Sequence, residues 1–354
     1  MEADKLAVMS RLGRRFAELG TIAVTCTVAM LGQATPNTPP ATSPANPVTT
    51  LQVQSQLVFV PTTVELGKDN IVYNLKASQF VIEDNGVPQQ VRLDDTEEAQ
   101  PLSLVVAVQC SRSAIEEFNA LNGLPVMIDA LLGGAPAEVA VIQFGTGEQL
   151  LAGFTHNKYA RDLALSRITP CNSDGDNIFD AVDYANTLLV AHHATGRRAI
   201  LLISETRDHG SETKSETVIH ELGRSNTIVD AMSFSPERDE MVDDLHYGGG
   251  AGPLALLLAA VQAARKNAPK EFANLSGGEY INFRTQKTFD RGMGTLANHV
   301  HNFYMLSFVP RFPPDAEGSR AAAPGLHRIT VKIPDFPKAI IRHRESYWAE
   351  DPSK

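Results

Sequence analysis

The sequence predicts an α/β protein: a doubly wound, mainly parallel sheet with a small β-rich unit drawn from its N- and C-terminal flanks. Three observations carry this. Apolar runs without polar alternation, Leu104–Val108 and RAILLIS at 198–204, read as strands buried on both faces. Around them, segments of helical spacing alternate with strand-like segments, the rhythm of a parallel sheet. Outside that rhythm, at both ends of the chain, apolar and polar residues alternate as in a sheet with one solvated face.

In chain order, residues 51–95 form the first β-rich segment. LQVQSQLVFVPTTVEL alternates over much of its length, and Asp84-Asn85-Gly86 sits between two β-like runs. An Asn-Gly pair there signals a hairpin, because both turn positions need positive φ. About forty residues of sheet cannot bury a core alone, so this segment is expected to pack against the next part of the chain. The α/β domain is expected over 100–310. Its helices are read at 114–132 (with Gly123 and Pro125 as interruptions), 158–168, 177–193, 212–224, 254–266 and 289–301. Its strands are read at 104–108, 138–144, 149–154, 198–204, 227–233, 280–283 and 303–309. Pro236 to Gly252 reads as a flexible surface insertion. A C-terminal β segment, 326–349, is placed to rejoin the N-terminal one.

The chain has 354 residues, 43% hydrophobic and 20% charged, with a formal charge of -10. That is ordinary for a globular protein. Its basic residues form no stripe beyond Arg342–Arg344, which argues against nucleic acid as a partner. The start reads as a cleaved export signal over 1–34. Lys5, Arg11, Arg14 and Arg15 precede a short apolar run, and Gly32-Gln33-Ala34 offers small residues at a cleavage site. The run falls short of the roughly 20 residues that a spanning helix needs, so no transmembrane segment is expected in the mature chain. Residues 35–50, TPNTPPATSPANPVTT, read as an extended linker. The expected location is secreted or periplasmic. Of three cysteines, Cys26 falls in the leader, leaving Cys110 and Cys171.

In open parallel sheets, ligands bind outside the carboxyl ends of the strands. Three loops there carry hydroxyls and carboxylates: Gln109-Cys110-Ser111-Arg112-Ser113, Asn172-Ser173-Asp174-Gly175-Asp176 and Glu205-Thr206-Arg207-Asp208. Such oxygen sets suit hard cations. They resemble the metal-ion-dependent adhesion site of von Willebrand factor type A domains, Asp-x-Ser-x-Ser, then a Thr, then an Asp. The chain is most similar to the A-domain-related family common in Acidobacteria. The similarity extends to FVIEDNGVPQQ (80–90), LSGGEYINF, HNFYMLSFVP and the closing LHRITVKIP…IRHRESYW, over about residues 51–349. It implies a Rossmann-like A-domain fold and an adhesion-type role.

The site departs from the family pattern. Ser111 and Ser113 match, but Gln109 replaces the leading Asp, Asp176 falls where the family has Thr, and Glu205 replaces the last Asp. The expected metal ligands are therefore Ser111, Ser113, Asp176 and Glu205, with Mg²⁺ or Mn²⁺ as the cation. A metal-free site stands beside this reading: Gln109 would hydrogen-bond the loops, and Ser113 and Asp176 would cap helices. Without a cation, two carboxylates must keep one proton or be neutralised by Arg112 or Arg207. The resemblance also puts Cys110 and Cys171 on neighbouring loops, where they either pair or remain separate thiols.

No GxSxG elbow, Walker A loop or HExxH occurs. His220-Glu221 lacks a second His four residues on, and His192-His193 point to different parts of a helix surface. The chain is therefore expected not to be an enzyme. The leading expectation is an exported protein-binding module whose partner is a protein or peptide, with a degenerate metal site. The alternative is a structural or assembly protein of the cell envelope with no metal site.

Overall fold

The computed structural model describes residues 57–67, 70–94, 101–193, 196–234, 252–311 and 323–350. The leader at 1–34, the linker at 35–50, the insertion at 236–251 and most of the connection at 310–325 lie outside the described residues.

The described residues open with four short strands, β1 (Val58–Glu65), β2 (Val81–Asp84), β3 (Val87–Gln89) and β4 (Arg92–Leu93). The α/β part comes next. Strand β5 (Leu102–Gln109) leads into a 3-10 helix (Arg112–Leu121) and α1 (Leu124–Leu132). After these come β6 (Ala137–Phe144), β7 (Glu148–Thr155), α2 (Lys158–Leu165), α3 (Ile178–Ala191), β8 (Arg197–Ser204), α4 (Ser215–Ser225) and β9 (Thr227–Phe234). Helices α5 (Pro253–Lys266) and α6 (Ala268–Ser276), strand β10 (Tyr280–Phe283) and helix α7 (Gln286–His301) complete it. The chain closes with β11 (Tyr304–Phe308), β12 (Gly325–Lys332), β13 (Ile340–His343) and β14 (Ser346–Ala349).

The central sheet has six strands in the order β10-β9-β8-β5-β6-β7, all parallel except the edge strand β7. Every residue of β5 is buried, as its unbroken apolar run requires. Alternate residues of that strand serve opposite layers. Val105 and Ala107 join the core under α3, α4, α5 and α6. Leu104, Val106 and Val108 join the core under the 3-10 helix, α1, α2 and α7. This is the doubly wound arrangement that the sequence predicts.

Two local features explain where helices break. Gly123 adopts φ 91°, a left-handed conformation that ends the 3-10 helix, and Pro125 then sits in the first turn of α1. Helix α6, which the periodicity alone does not reveal, is bounded by Asn267, whose side chain accepts from the Lys270 N–H at 3.0 Å, and by Gly277 at φ 85°.

The flanks build two further four-stranded sheets, β13-β1-β11-β4 and β14-β12-β2-β3, which share a core around Val60, Phe80, Ile82, Phe308 and Tyr347. The N- and C-terminal segments therefore interleave. Asn85 (φ 47°) and Gly86 (φ 82°) turn the β2–β3 hairpin, with Asp84 opposite Val87. One strand differs from the sequence reading. The rhythm places 303–309 at the end of the α/β run, but β11 pairs with β1 and β4. Strand rhythm does not reveal which edge a strand meets. Buried Arg344 ties the flank to the α/β part, donating to the Gly223 carbonyl at 2.8 Å, the Ser346 carbonyl at 2.6 Å and the side chain of Asn226. Among the described residues, no helix is long and apolar enough to cross a membrane.

Candidate functional site

In the strand order, the chain winds outward from β5 through β6 on one side and from β8 through β9 on the other. The crevice between the carboxyl ends of β5 and β8 is therefore the topological switch point. Gln109 ends β5, Ser111 and Ser113 come just after it, and Glu205 comes just after β8. Asp176 arrives on the loop before α3, held by a two-way backbone pairing with His209 at 2.9 and 3.0 Å. All five predicted residues meet at this end.

Gln109 organises them. Its amide oxygen accepts the backbone N–H of Glu205 at 2.9 Å. That contact fixes the orientation of the amide, because a backbone N–H needs an acceptor. The amide nitrogen then faces three oxygens: Ser111 Oγ at 2.9 Å, Ser113 Oγ at 2.8 Å and Asp176 Oδ1 at 2.8 Å. Ser113 also donates to Asp176 Oδ1 at 2.8 Å, as does Ser111, and the two hydroxyls lie 3.0 Å apart. Gln109, Ser111, Asp176 and Glu205 are buried, and Ser113 stands at the exposed rim.

The two carboxyls share the problem of burial. Burial raises Glu205 strongly, and hydrogen bonding to Asp176 and its charge raise it further. Burial also works against an ionised Asp176, but contacts from Glu205, Ser111 and Ser113 outweigh it and hold that carboxyl below its usual range. The pair therefore keeps one proton, on the Glu205 side. Glu205 Oε1 is buried and has no hydrogen-bond partner.

A resident cation is the sequence expectation for Ser111, Ser113, Asp176 and Glu205. Their oxygens are of the right kind for Mg²⁺ or Mn²⁺. As arranged, however, they do not fit one: the N–H groups of Gln109 point at the oxygens a cation would need, and a cation cannot share that space. Helix capping at Ser113 and Asp176 does not explain them either: the N-cap residue is Ser111 for the 3-10 helix and Asn177 for α3, and neither makes a side-chain capping bond. The first turn of α3 is served instead by Asp208, which accepts the Phe179 N–H at 3.0 Å. Arg112, expected as a neutraliser, turns outward to Asp174 at 2.7 Å and to Asn172.

Cys110 and Cys171 form a disulfide, with Cα atoms 5.1 Å apart. Of the two readings the sequence leaves open, the structure has the bridge. The Cys171 N–H also donates to the Cys110 carbonyl at 2.7 Å, and the Arg112 N–H to the Ser173 carbonyl at 3.0 Å, so the first two loops are laced together. Chemically, this end can present hydroxyls, an arginine and one buried negative charge. Ser111 is wholly buried and donates to a carboxylate, so it is not placed to attack a substrate.

Sequence reading misses two buried clusters, both in or against the flank. His327 hydrogen-bonds Asp84 at 2.7 Å, and Tyr347 donates to the same carboxylate at 2.5 Å. His299 lies between Glu65 and Glu279 at 2.6 and 2.9 Å. Partners so distant in sequence leave no local signal.

No family model matches the chain, and no curated protein does. Solved structures similar to it include the conserved hypothetical protein BatB from Bacteroides thetaiotaomicron, with 16% identity, 55% of this chain and 98% of that chain covered, and a TM-score of 0.38. An aerotolerance-related membrane protein from Bacteroides fragilis has 17% identity, 56% and 98% coverage, and a TM-score of 0.38. Proximal thread matrix protein 1 from the mussel byssus has 11% identity, 71% and 50% coverage, and a TM-score of 0.41. Likenesses of this size bear on none of the chemistry above.

Proposed function

We propose that the chain is an exported, non-catalytic protein-binding module of the von Willebrand factor A type whose adhesion site has lost its cation. The observation that carries this reading is the amide of Gln109, seated among the oxygens of Ser111, Ser113 and Asp176. A neutral donor there replaces the metal as the element that draws the loops together. The partner is a protein or peptide that meets the rim formed by Ser113, Arg112 and the 172–174 loop. The Cys110–Cys171 bridge supports an extracytoplasmic location, because such bonds persist in oxidising compartments. The leader and linker read from 1–50 belong to the same proposal.

The second reading, a structural or assembly protein of the cell envelope, draws on the same amide, since a plugged site needs no ligand at all. The two are separated by capture from the native cell envelope, with and without a chelator, using the wild type and Ser113→Arg. A binding module retains its partner in chelator and loses it on Ser113→Arg. Equal capture by both chains would move the contact away from this end and overturn the proposal.

A further inference from the structure

We infer that a cleft beside this site, between the β6–β7 turn and the start of α3, receives a lysine or arginine side chain of a protein or peptide partner. The inference rests on the protein-binding reading and names the chemistry of the partner.

The cleft has a volume of about 530 Å³, within the roughly 300–1,000 Å³ of ligand pockets. Four carboxylates line it: Glu148 at the start of β7, Asp180 and Asp183 on α3, and Glu212 before α4. None of the ion pairs among the described residues joins any of them to a Lys, Arg or His. Asp180 is held in place by the Thr213 and Glu212 N–H groups at 2.8 and 3.0 Å and by Asn177 Nδ2 at 3.0 Å. Asp183 and Glu212 have no such anchor, and Glu148 has only its own backbone N–H.

A second observation is independent of charge. Asn177, 5% exposed, lines the same cleft, and its Oδ1 has no hydrogen-bond partner. Its Nδ2 is committed to Asp180 and to the Thr146 carbonyl, so the amide cannot be reversed without loss. The oxygen faces Gly175 and Gly210, both in the lining, where a Cβ would come within 2.9 and 3.0 Å of it. Glycine on both sides means that no side chain is packed against this buried acceptor, and an orphan buried acceptor is costly.

The donor is a side-chain cation and not a metal ion. Among the described residues, no three acidic, histidine or cysteine side chains converge closely enough to hold a metal. A guanidinium or ammonium group on a flexible stem can serve spread carboxylates and still donate to Asn177. Half-buried Tyr184 adds an aromatic surface of the kind on which such groups settle. Burial and then the charges of Asp180 and Asp183 raise Glu148, and burial with Glu221 and Asp180 raises Asp183. An entering cation relieves both.

The test is fluorescence anisotropy of labelled nona-arginine on the full chain, with nona-glutamate as the control peptide. Two double variants remove the same charge: Glu148→Gln with Asp183→Asn in the cleft, and Glu116→Gln with Asp290→Asn elsewhere. Thr187→Lys keeps every carboxylate but places an ammonium group in the cleft, which guards against a folding artefact. The cleft pair and Thr187→Lys each weaken binding about tenfold or more, and the distant pair changes it less than about twofold. No binding at low salt, or equal weakening by the two double variants, or full binding by Thr187→Lys overturns the inference. The readout needs no native partner. A chain that captures an envelope protein through Ser113 yet ignores nona-arginine refutes the cleft alone, and the converse refutes the proposed function alone.

Discussion

The two ends of the central sheet solve one problem, buried carboxylates, in opposite ways. At the amino end, where the flank meets the sheet, Glu65 and Glu279 are matched by charges. His299 lies 2.6 and 2.9 Å from them, and Arg342 lies 3.0 and 3.1 Å away. At the carboxyl end, Asp176 and Glu205 rely on an amide, two hydroxyls and one retained proton. Matched charges make a joint that resists opening. A site balanced by neutral donors keeps its polarity available to a partner. On the proposed reading, the amino end is the structural joint and the carboxyl end the working face.

The sharpest way to break the contrast is His299→Leu. It leaves Glu65 and Glu279 facing each other with Arg342 alone, and removing one member of a buried ionic cluster costs about 3–5 kcal/mol. Urea unfolding measures this, and a loss below about 1 kcal/mol would mean that the joint is not held by charge.

The next is Gln109→Asp. It removes the donor that draws the loops together and restores the acidic position of the adhesion-site pattern. In chelator the variant melts below the wild type. Millimolar Mg²⁺ or Mn²⁺ restores it by about 2–3 kcal/mol when cation far exceeds its dissociation constant. The wild type does not respond. A wild-type melting shift of the same size would show that a cation enters despite the amide.

The smallest effect is in pH. Burial lowers His299 and His327, but the hydrogen bonds and charges of Glu279 with Glu65, and of Asp84, outweigh it and raise both. A raised histidine stabilises the fold fully below its unfolded value of about 6.5 and loses that contribution as pH rises through the folded value. Asp230, pushed up to about 6 by burial and then by the charge of Glu279, works in the same direction at lower pH. Melting temperature should therefore fall as pH rises above about 6.5, and His327→Gln should flatten part of that slope. The groups facing His327 include Asp84, Asn85, the Tyr347 hydroxyl and the Ala323 carbonyl, so a slope unchanged in this variant would leave the effect to His299 and to the raised Glu205.

Legibility in the sequence tracks the range of the interactions. Strands such as 198–204 declare themselves because burial on both faces forces an unbroken apolar run. The β2–β3 hairpin shows in Asn85-Gly86 because the turn needs those two residues. Helix α6 escapes because its nine residues include a proline and few apolar repeats, although Asn267 and Gly277 mark its ends. The meeting of Ser111, Ser113, Asp176 and Glu205 can be read from strand order and loop position. The orientation of the Gln109 amide cannot, since it depends on a backbone N–H brought from another strand. His299 with Glu65, and Asp84 with His327, are invisible for the same reason: each pair joins opposite ends of the chain.

The bridge between Cys110 and Cys171 has a practical consequence. It staples the loop leaving β5 to the loop entering α3, and those two loops carry Ser111, Ser113 and Asp176. The geometry of the working face is then set when the bond forms, in advance of any encounter. On the proposed reading, a partner meets a surface already in shape and loses little entropy in ordering it. Material made in a reducing cytoplasm would keep the sheet and its cores but present a slack rim, so a weak affinity measured on such material would report its redox history more than its sequence.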